Sequence, residues 1–491
     1  MNKIPKPLIH EENLDEIFHP RSIAIVGASE NVVSFGYQCL RYLCKGGYRG
    51  KIYPIAPQKK KIMGLRVYKT LGEVPGNIDY VICCINANMV IDLLRECTQK
   101  KVKAVHLFTG RLSETGDSNR RGLEKDILSE AQKLGIHLIG PNCMGIYNPR
   151  ERITFNHDLC MEPGTVGAIV QSGGIAGEFV RYTALRGVRF SKVISYGNAS
   201  DLNECDFLEY FLCDKETKII LMYIEGVREG KRFVKTLRDA TRIKPVIILK
   251  GGRTKAGSKS IASHTASIAG SINIWGGALR QARAIQARNL NELIDFAVAF
   301  YFLPPITGKR VGIIGGGGGN GVLLADEFEE AGLDVISIPE QLKKLLESRS
   351  PILAKWVGNP VDFSILHGFN VDYVEVVRSV AQSPDVDLLI ANITGESPYH
   401  KQMLTTFLEK EVNAYLTVAK EELKPIAVVM KNPELVADQA RNWRWQILFK
   451  QRERFINNHI PVFSSHGGVA GVIRKMVDYY QGIEADNFST V

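Results

Sequence analysis

The sequence predicts an α/β chain of three consecutive domains, and three observations carry that prediction. Short, nearly continuous apolar runs such as SIAIV, KIILMYI and PVIILK recur along it, separated by stretches with helical apolar spacing, the pattern of buried parallel strands joined by helices. Several of these runs end in glycine-rich turns: VGAS, QSGG and GGGGGNG. A Pro/Gly stretch, LPPITGKR (303–310), separates two segments that follow one plan. The expected domains are 1–150, 160–303 and 309–485.

Composition narrows the function classes. With 491 residues, 45% hydrophobic and 23% charged, the chain is long enough for about three ordinary cores. No apolar run approaches the roughly 20 residues of a membrane span, and the start, MNKIPKPLIHEENLDEIF, lacks a signal-peptide core, so a cytoplasmic protein is expected. Nine cysteines without a CxxC pair point to reduced thiols and to no zinc or other metal site. The net charge of +10 is dispersed, with no basic run interleaved with aromatics; that speaks against a nucleic-acid partner and leaves polyanionic small molecules, or solubility alone.

The first domain opens with SIAIVGAS (22–29), a buried strand ending at Gly27, followed by a helix ending at Gly46 and Gly47. This is the first unit of a Rossmann-like fold. An NAD site would carry G-x-G-x-x-G and an acidic residue after strand two; instead the turn is Gly27, Ala28, Ser29, then Gly36, and strand two runs into Lys59, Lys60 and Lys61. Backbone donors at a helix start suit a pyrophosphate, and the lysines suit an additional ribose phosphate. Coenzyme A and NADP both carry these groups. In HLIGPNCMGIYNP (137–149) a strand stops at Gly140-Pro141 and a turn presents Asn142 and Cys143; for the cysteine, packing and a direct chemical role are both open.

In the second domain, the strand VGAIVQ meets SGGIAGEF, so Ser172, Gly173 and Gly174 start a helix whose free N–H groups and dipole favour a phosphate. A tight turn needed for packing is the competing reading. The run KIILMYIEG ends at Glu225, where an acidic strand end needs a partner; it can hold an imidazole tautomer or form a structural ion pair. After PVIILK comes KGGRTKAGSKSIASHTASIAG (250–270), whose Gly, Ser, Ala and cation content predicts a mobile loop bearing His264 between Ser263 and Thr265, near Arg253, Lys255 and Lys259. Exposure alone would explain a lone histidine. Three features at one sheet edge, a phosphate-binding helix start, an acidic strand end and a histidine, together point to phosphoryl transfer through His264.

After the linker, KRVGIIGGGGGNGVLLADEFEE repeats the strand, turn and helix plan of 165–195, and KPIAVVMK matches KPVIILK. A duplicated flavodoxin-like domain is expected, its second copy lacking a counterpart of the His264 loop.

The order SIAIVGAS, GPNCMGIYNP, QSGG, YIEG and SHTASIAG resembles the NDP-forming (ADP-forming) acyl-CoA synthetases, relatives of succinyl-CoA synthetase, over nearly the whole chain. The resemblance implies an acid-thiol ligase interconverting acyl-CoA, ADP and phosphate with carboxylate, CoA and ATP through an acyl phosphate and a phosphohistidine. It implies His264 and Glu225 as the catalytic pair, Ser172, Gly173 and Gly174 as phosphate-binding, and Gly27, Ala28, Ser29, Lys59 and Asn142 on CoA. The chain departs from the family at Ala266, at NPVDFSILH and at GGGGGNG, and it lacks a readable ATP-grasp stretch. An α subunit is therefore expected, in a hetero-oligomer with an ATP-grasp β subunit that binds ATP or ADP and Mg2+. Outside this class, the alternatives are a non-catalytic CoA- or acyl-CoA-binding regulator of the same fold and an NADP-dependent oxidoreductase; no hydride-transfer constellation supports the latter.

Overall fold

The computed structural model describes residues 11–57, 60–264, 272–366, 369–396, 398–431 and 442–489. The chain divides into two compact bodies, Met1–Leu293 and Ile294–Val491. No helix among the described residues is long and apolar enough to cross a membrane.

The first body holds two parallel sheets. The first contains β1 (Ser22–Val26), β2 (Lys51–Ile55), β5 (Tyr80–Cys83), β6 (Ala104–Leu107) and β7 (His137–Ile139) in the order β2-β1-β5-β6-β7; β3 (Lys61–Ile62) and β4 (Leu65–Arg66) form a small separate hairpin. The second contains β8 (Gly145–Tyr147), β9 (Val166–Val170), β10 (Phe190–Ser195), β11 (Ile219–Ile224), β12 (Val246–Lys250) and β13 (Ile285–Ala287) in the order β13-β12-β11-β9-β10-β8. The second body holds β14 (Arg310–Ile314), β15 (Asp334–Val335), β16 (Leu388–Ile393), β17 (Ile426–Met430) and β18 (Val462–Phe463), ordered β15-β14-β16-β17-β18. Setting aside the hairpin and β8, all three sheets share the doubly wound order 2-1-3-4-5, so the repeat legible in the sequence extends to the first domain as well. The fully buried patterns of β1, β5, β9, β12 and β17 explain why their sequences read as continuous apolar runs.

β8 departs from this regularity. Expected as the tail of the first domain, it pairs antiparallel with β10, Tyr147 opposite Val193 and Gly145 opposite Ser195, as the edge strand of the second sheet. The turn leading to it is strapped to the loop after β10: Asn198 N–H donates to the Pro141 carbonyl and Ser200 N–H to the Gly140 carbonyl, both at 3.0 Å.

The helix Phe35–Gly46 follows β1 and is closed by Gly47 in the left-handed region, as its glycines predict; Ser34 caps its start by accepting from the Tyr37 N–H at 3.2 Å. Gly36 lies so close to the preceding turn that a Cβ there would stand 1.9 Å from the Gly27 carbonyl oxygen, which is backbone and cannot swing aside. Gly36→Ala is therefore expected to destabilise the first body by about 1–3 kcal/mol, as forced overpacking does, seen as a lowered unfolding temperature in calorimetry.

Candidate active site

The carboxyl ends of the adjacent strands β9 and β11 build the centre of the site. In a doubly wound sheet the crevice at such ends is where ligands gather. β9 runs directly into Gln171, whose buried side-chain oxygen accepts the N–H groups of Glu225 at 2.7 Å and Gly226 at 3.1 Å. Its backbone N–H donates to the Tyr223 carbonyl and its carbonyl accepts from Gly197. Composition did not single out Gln171; its signal was a polar residue ending an apolar strand just before the glycine turn.

Ser172 caps the helix Gly173–Leu185, its hydroxyl accepting from the Ile175 N–H at 3.5 Å. A Cβ at Gly174 would meet open space, whereas one at Gly173 would stand 2.9 Å from Met144 Cγ. The helix start is thus bare on one side and walled on the other. Glu225 is 9% exposed, and its carboxylate accepts from the Tyr223 hydroxyl at 3.3 Å. Lys250, buried at the end of β12, donates to the Glu225 carbonyl at 2.6 Å and lies over the Trp275 ring; burial holds its amine below the ordinary lysine range, with the Glu225 charge opposing that shift.

The segment after β12 corrects the expectation of a loop: Lys255–His264 is an α-helix. Thr254 starts it, its hydroxyl accepting from the Gly257 N–H at 3.1 Å and its carbonyl from Ser258 at 2.8 Å. Ile261 is buried and its side chain covers Gly252, which has φ +67°. Lys and Ala favour the helix and one apolar side chain anchors it, features outweighed in the sequence by the Gly and Ser content. His264 is the last helical residue; its side chain, and residues 265–271 with Thr265 and Ala266, lie outside the described residues. The helix packs against the 3-10 turn Ser113–Thr115.

That turn borders a cavity of about 480 Å3 lined by Phe108, Glu114, Asn142, Cys143, Met144, Gln171, Ser172, Gly173, Gly174, Gly197 and Glu225. Of the residues proposed from sequence, the cavity brings together Asn142, Ser172, Gly173, Gly174 and Glu225. Gly197, at φ +56°, admits no side chain, since a Cβ would stand 2.2 Å from the Pro141 carbonyl oxygen.

Gly27, Ala28 and Ser29 do not line this cavity. The N–H groups of Gly27 and Ala28 both donate to the Ile55 carbonyl on β2, at 3.1 and 3.2 Å, and the Ser29 hydroxyl accepts from Asn31 at 3.0 Å. The helix they precede nonetheless touches the cavity wall, because the Phe35 ring packs on Phe108 with centroids 4.2 Å apart. Lys59 lies outside the described residues.

Cys143 belongs to packing. It is 4% exposed, and burial pushes its thiol up to about 12. Its carbonyl is 3.0 Å from Nε2 of His106, a buried imidazole whose pKa desolvation lowers to about 4. A neutral His106 donates here and fixes the turn that carries Asn142.

Comparisons with known proteins fit this architecture. Residues 21–149 match the family of CoA binding domains, and residues 163–300 match the succinyl-CoA ligase like flavodoxin domain. The fold and site thus define a CoA ligase of the succinyl-CoA synthetase type. The chain is 38% identical over 77% of its length to the α subunit of ADP-forming acetate–CoA ligase II of Pyrococcus furiosus, covering 82% of that protein. It is 34% identical over 72% of its length to the α subunit of isoenzyme I from the same organism, covering 77%. Its structure matches the dinucleotide-forming acetyl-coenzyme A synthetase 1 of Ca. Korarchaeum cryptofilum in complex with phosphate and ADP, with a TM-score of 0.78, 28% identity and coverage of 97% of this chain and 99% of that one. The chain belongs to the family of ADP-forming acetate–CoA ligase α subunits.

The burial and raised pKa of Cys143 predict that iodoacetamide at pH 8 leaves it unmodified in the native chain while reacting at half-buried Cys160, as peptide mass mapping would report. Modification of both at one rate would contradict this.

Proposed function

We propose that this chain carries the CoA and phosphate chemistry of an ADP-forming acyl-CoA ligase and hands a phosphoryl group from His264 to ADP on an ATP-grasp β subunit holding Mg2+. The carrying observation is that one cavity joins Asn142, on the turn that ends the CoA-binding segment, to the bare helix start at Ser172–Gly174 and to Glu225.

The chemistry assigns a role to each part. Inorganic phosphate attacks the thioester carbonyl, CoA leaves as thiol, and an acyl phosphate forms. The His264 imidazole attacks phosphorus, the P–O bond to the acyl group breaks, and the carboxylate departs. ADP then takes the phosphoryl group from the imidazole and becomes ATP. Through the first two steps the amides at Gly173 and Gly174, with the dipole of the thirteen-residue helix behind them, stabilise the phosphoryl oxygens. Glu225 accepts a hydrogen bond from the imidazole and holds the attacking nitrogen unprotonated. Because Gln171 holds Glu225 by its backbone amide, the carboxylate stays at the mouth of the phosphate site.

CoA binds across the first sheet. With the amides of Gly27 and Ala28 committed to β2, that turn contributes close backbone approach, not amide donation, and the exposed start of the helix Phe35–Gly46 supplies donors to the diphosphate. Lys59 and its neighbours meet the ribose phosphate. The grouping of Glu225 with the helix start has no use in a purely regulatory CoA-binding protein.

Two substitutions test this reading. Incubation with acyl-CoA and phosphate should place an acid-labile phosphoryl group on the chain, and His264→Ala should abolish it; an adduct of unchanged yield would exclude the assignment. Glu225→Gln should slow labelling by roughly 100-fold, the scale of a lost proton-handling group, with CoA affinity nearly unchanged by calorimetry. A large fall in CoA affinity would instead assign Glu225 to the scaffold.

A further inference from the structure

The cavity also contains a wall that phosphoryl transfer does not use. In an acyl phosphate the acyl carbon is one oxygen away from phosphorus, so the acyl group must lie within about 3 Å of the phosphate held at the helix start. The large apolar side chains that line the cavity are Phe108 and Met144. Met144 faces the helix start directly, with its Cγ beside Gly173. Both residues are fixed through their backbones: Met144 N–H donates to the Ser195 hydroxyl at 3.1 Å, and Phe108 N–H to the Cys83 carbonyl at 3.1 Å. The Phe108 ring packs on the ring of Phe35.

Charge points the same way. Among the described residues, the lining includes two carboxylates, Glu114 and Glu225, and no lysine, arginine or histidine. Glu114 is anchored by the N–H of Leu112 at 3.1 Å and the side-chain amide of Asn198 at 2.8 Å, so it cannot turn away. A second carboxylate on the acyl group would meet like charge there.

We propose that Met144 and Phe108 form the acyl-binding wall of the cavity, set the length of the acyl chain accepted, and with Glu114 reject acyl groups bearing a second carboxylate. The assignment rests on the phosphotransfer reading above. Met144→Ala removes the outer side-chain atoms beside Gly173 and opens room for a longer chain; one methylene in an apolar pocket changes discrimination by roughly 10–200-fold.

The test measures the rate of phosphoryl labelling of the full chain from phosphate with acetyl-, butyryl-, hexanoyl- and succinyl-CoA. Labelling from ATP with the β subunit, which needs no acyl group, is the control. Met144→Ala and Phe108→Leu are each expected to raise the hexanoyl-to-acetyl rate ratio at least about 10-fold. Labelling from ATP should still occur in both variants, showing that they fold, Met144→Leu should keep the wild-type ratio, and succinyl-CoA should be the poorest donor throughout. Unchanged ratios in variants that still label from ATP, an equal fall with every acyl-CoA, or succinyl-CoA ranking first would overturn the wall while leaving the phosphotransfer reading intact. A wild-type chain that labels from no acyl-CoA would sink that reading and the wall with it.

Discussion

Gln171 uses one side-chain oxygen to accept two backbone amides, those of Glu225 and Gly226, while its own backbone joins β11 and the loop after β10. Three chain segments that arrive at the sheet edge separately are thereby fixed to one residue. Two buried amides would each lose a partner without it, a cost of about 1–3 kcal/mol apiece. More consequential is the geometry: Ser172 and the bare helix start follow in the next positions, so the backbone of Glu225 is held beside that helix start by this tie.

Around that tie, the doubly wound order repeats without variation in strand sequence. Each copy places a glycine-bearing turn after its first strand, and each turn is used differently. After β1 the glycine permits a helix to lie against the turn, as Gly36 does against Gly27. After β9 the glycines leave a helix end uncovered. After β14, Gly315 and Gly316 have positive φ, and a side chain at Gly316 would collide with Asn392, so that turn is filled from inside by its own body. One backbone device thus serves close packing, ligand access and internal closure, according to what neighbouring strands supply.

Much of this was legible in the residues. Continuous apolar strands, the repeat after the linker, and the positions of Ser172 and Glu225 at strand ends all follow from patterns with periods that sequence displays. The misreading at Lys255–His264 has a clear cause: Gly257 and the serines weigh against a helix and outweighed the local signal of the Thr254 cap, while the seating of Ile261 on Gly252 depends on a fold-back that no local pattern encodes. Met144 and Phe108 were illegible for a different reason. Their importance comes from the residues of the next domain that share their cavity, and nothing in the local spelling of an apolar strand or a GPNCMG turn specifies those neighbours. The spent amides of Gly27 and Ala28 were likewise invisible, since their acceptor is on the following strand.

The short strand β8 belongs by sequence to the segment that precedes the second sheet, yet its hydrogen bonds are made within that sheet. The two modules therefore share a seam stitched by a borrowed edge. Recombination at the linker before β9 would carry off three residues that close the neighbour's border and bare β10 to foreign strands. The pair behaves as one cassette, and a designer wishing to exchange acyl or thiol recognition between relatives should keep Met1–Leu293 whole instead of cutting near 150.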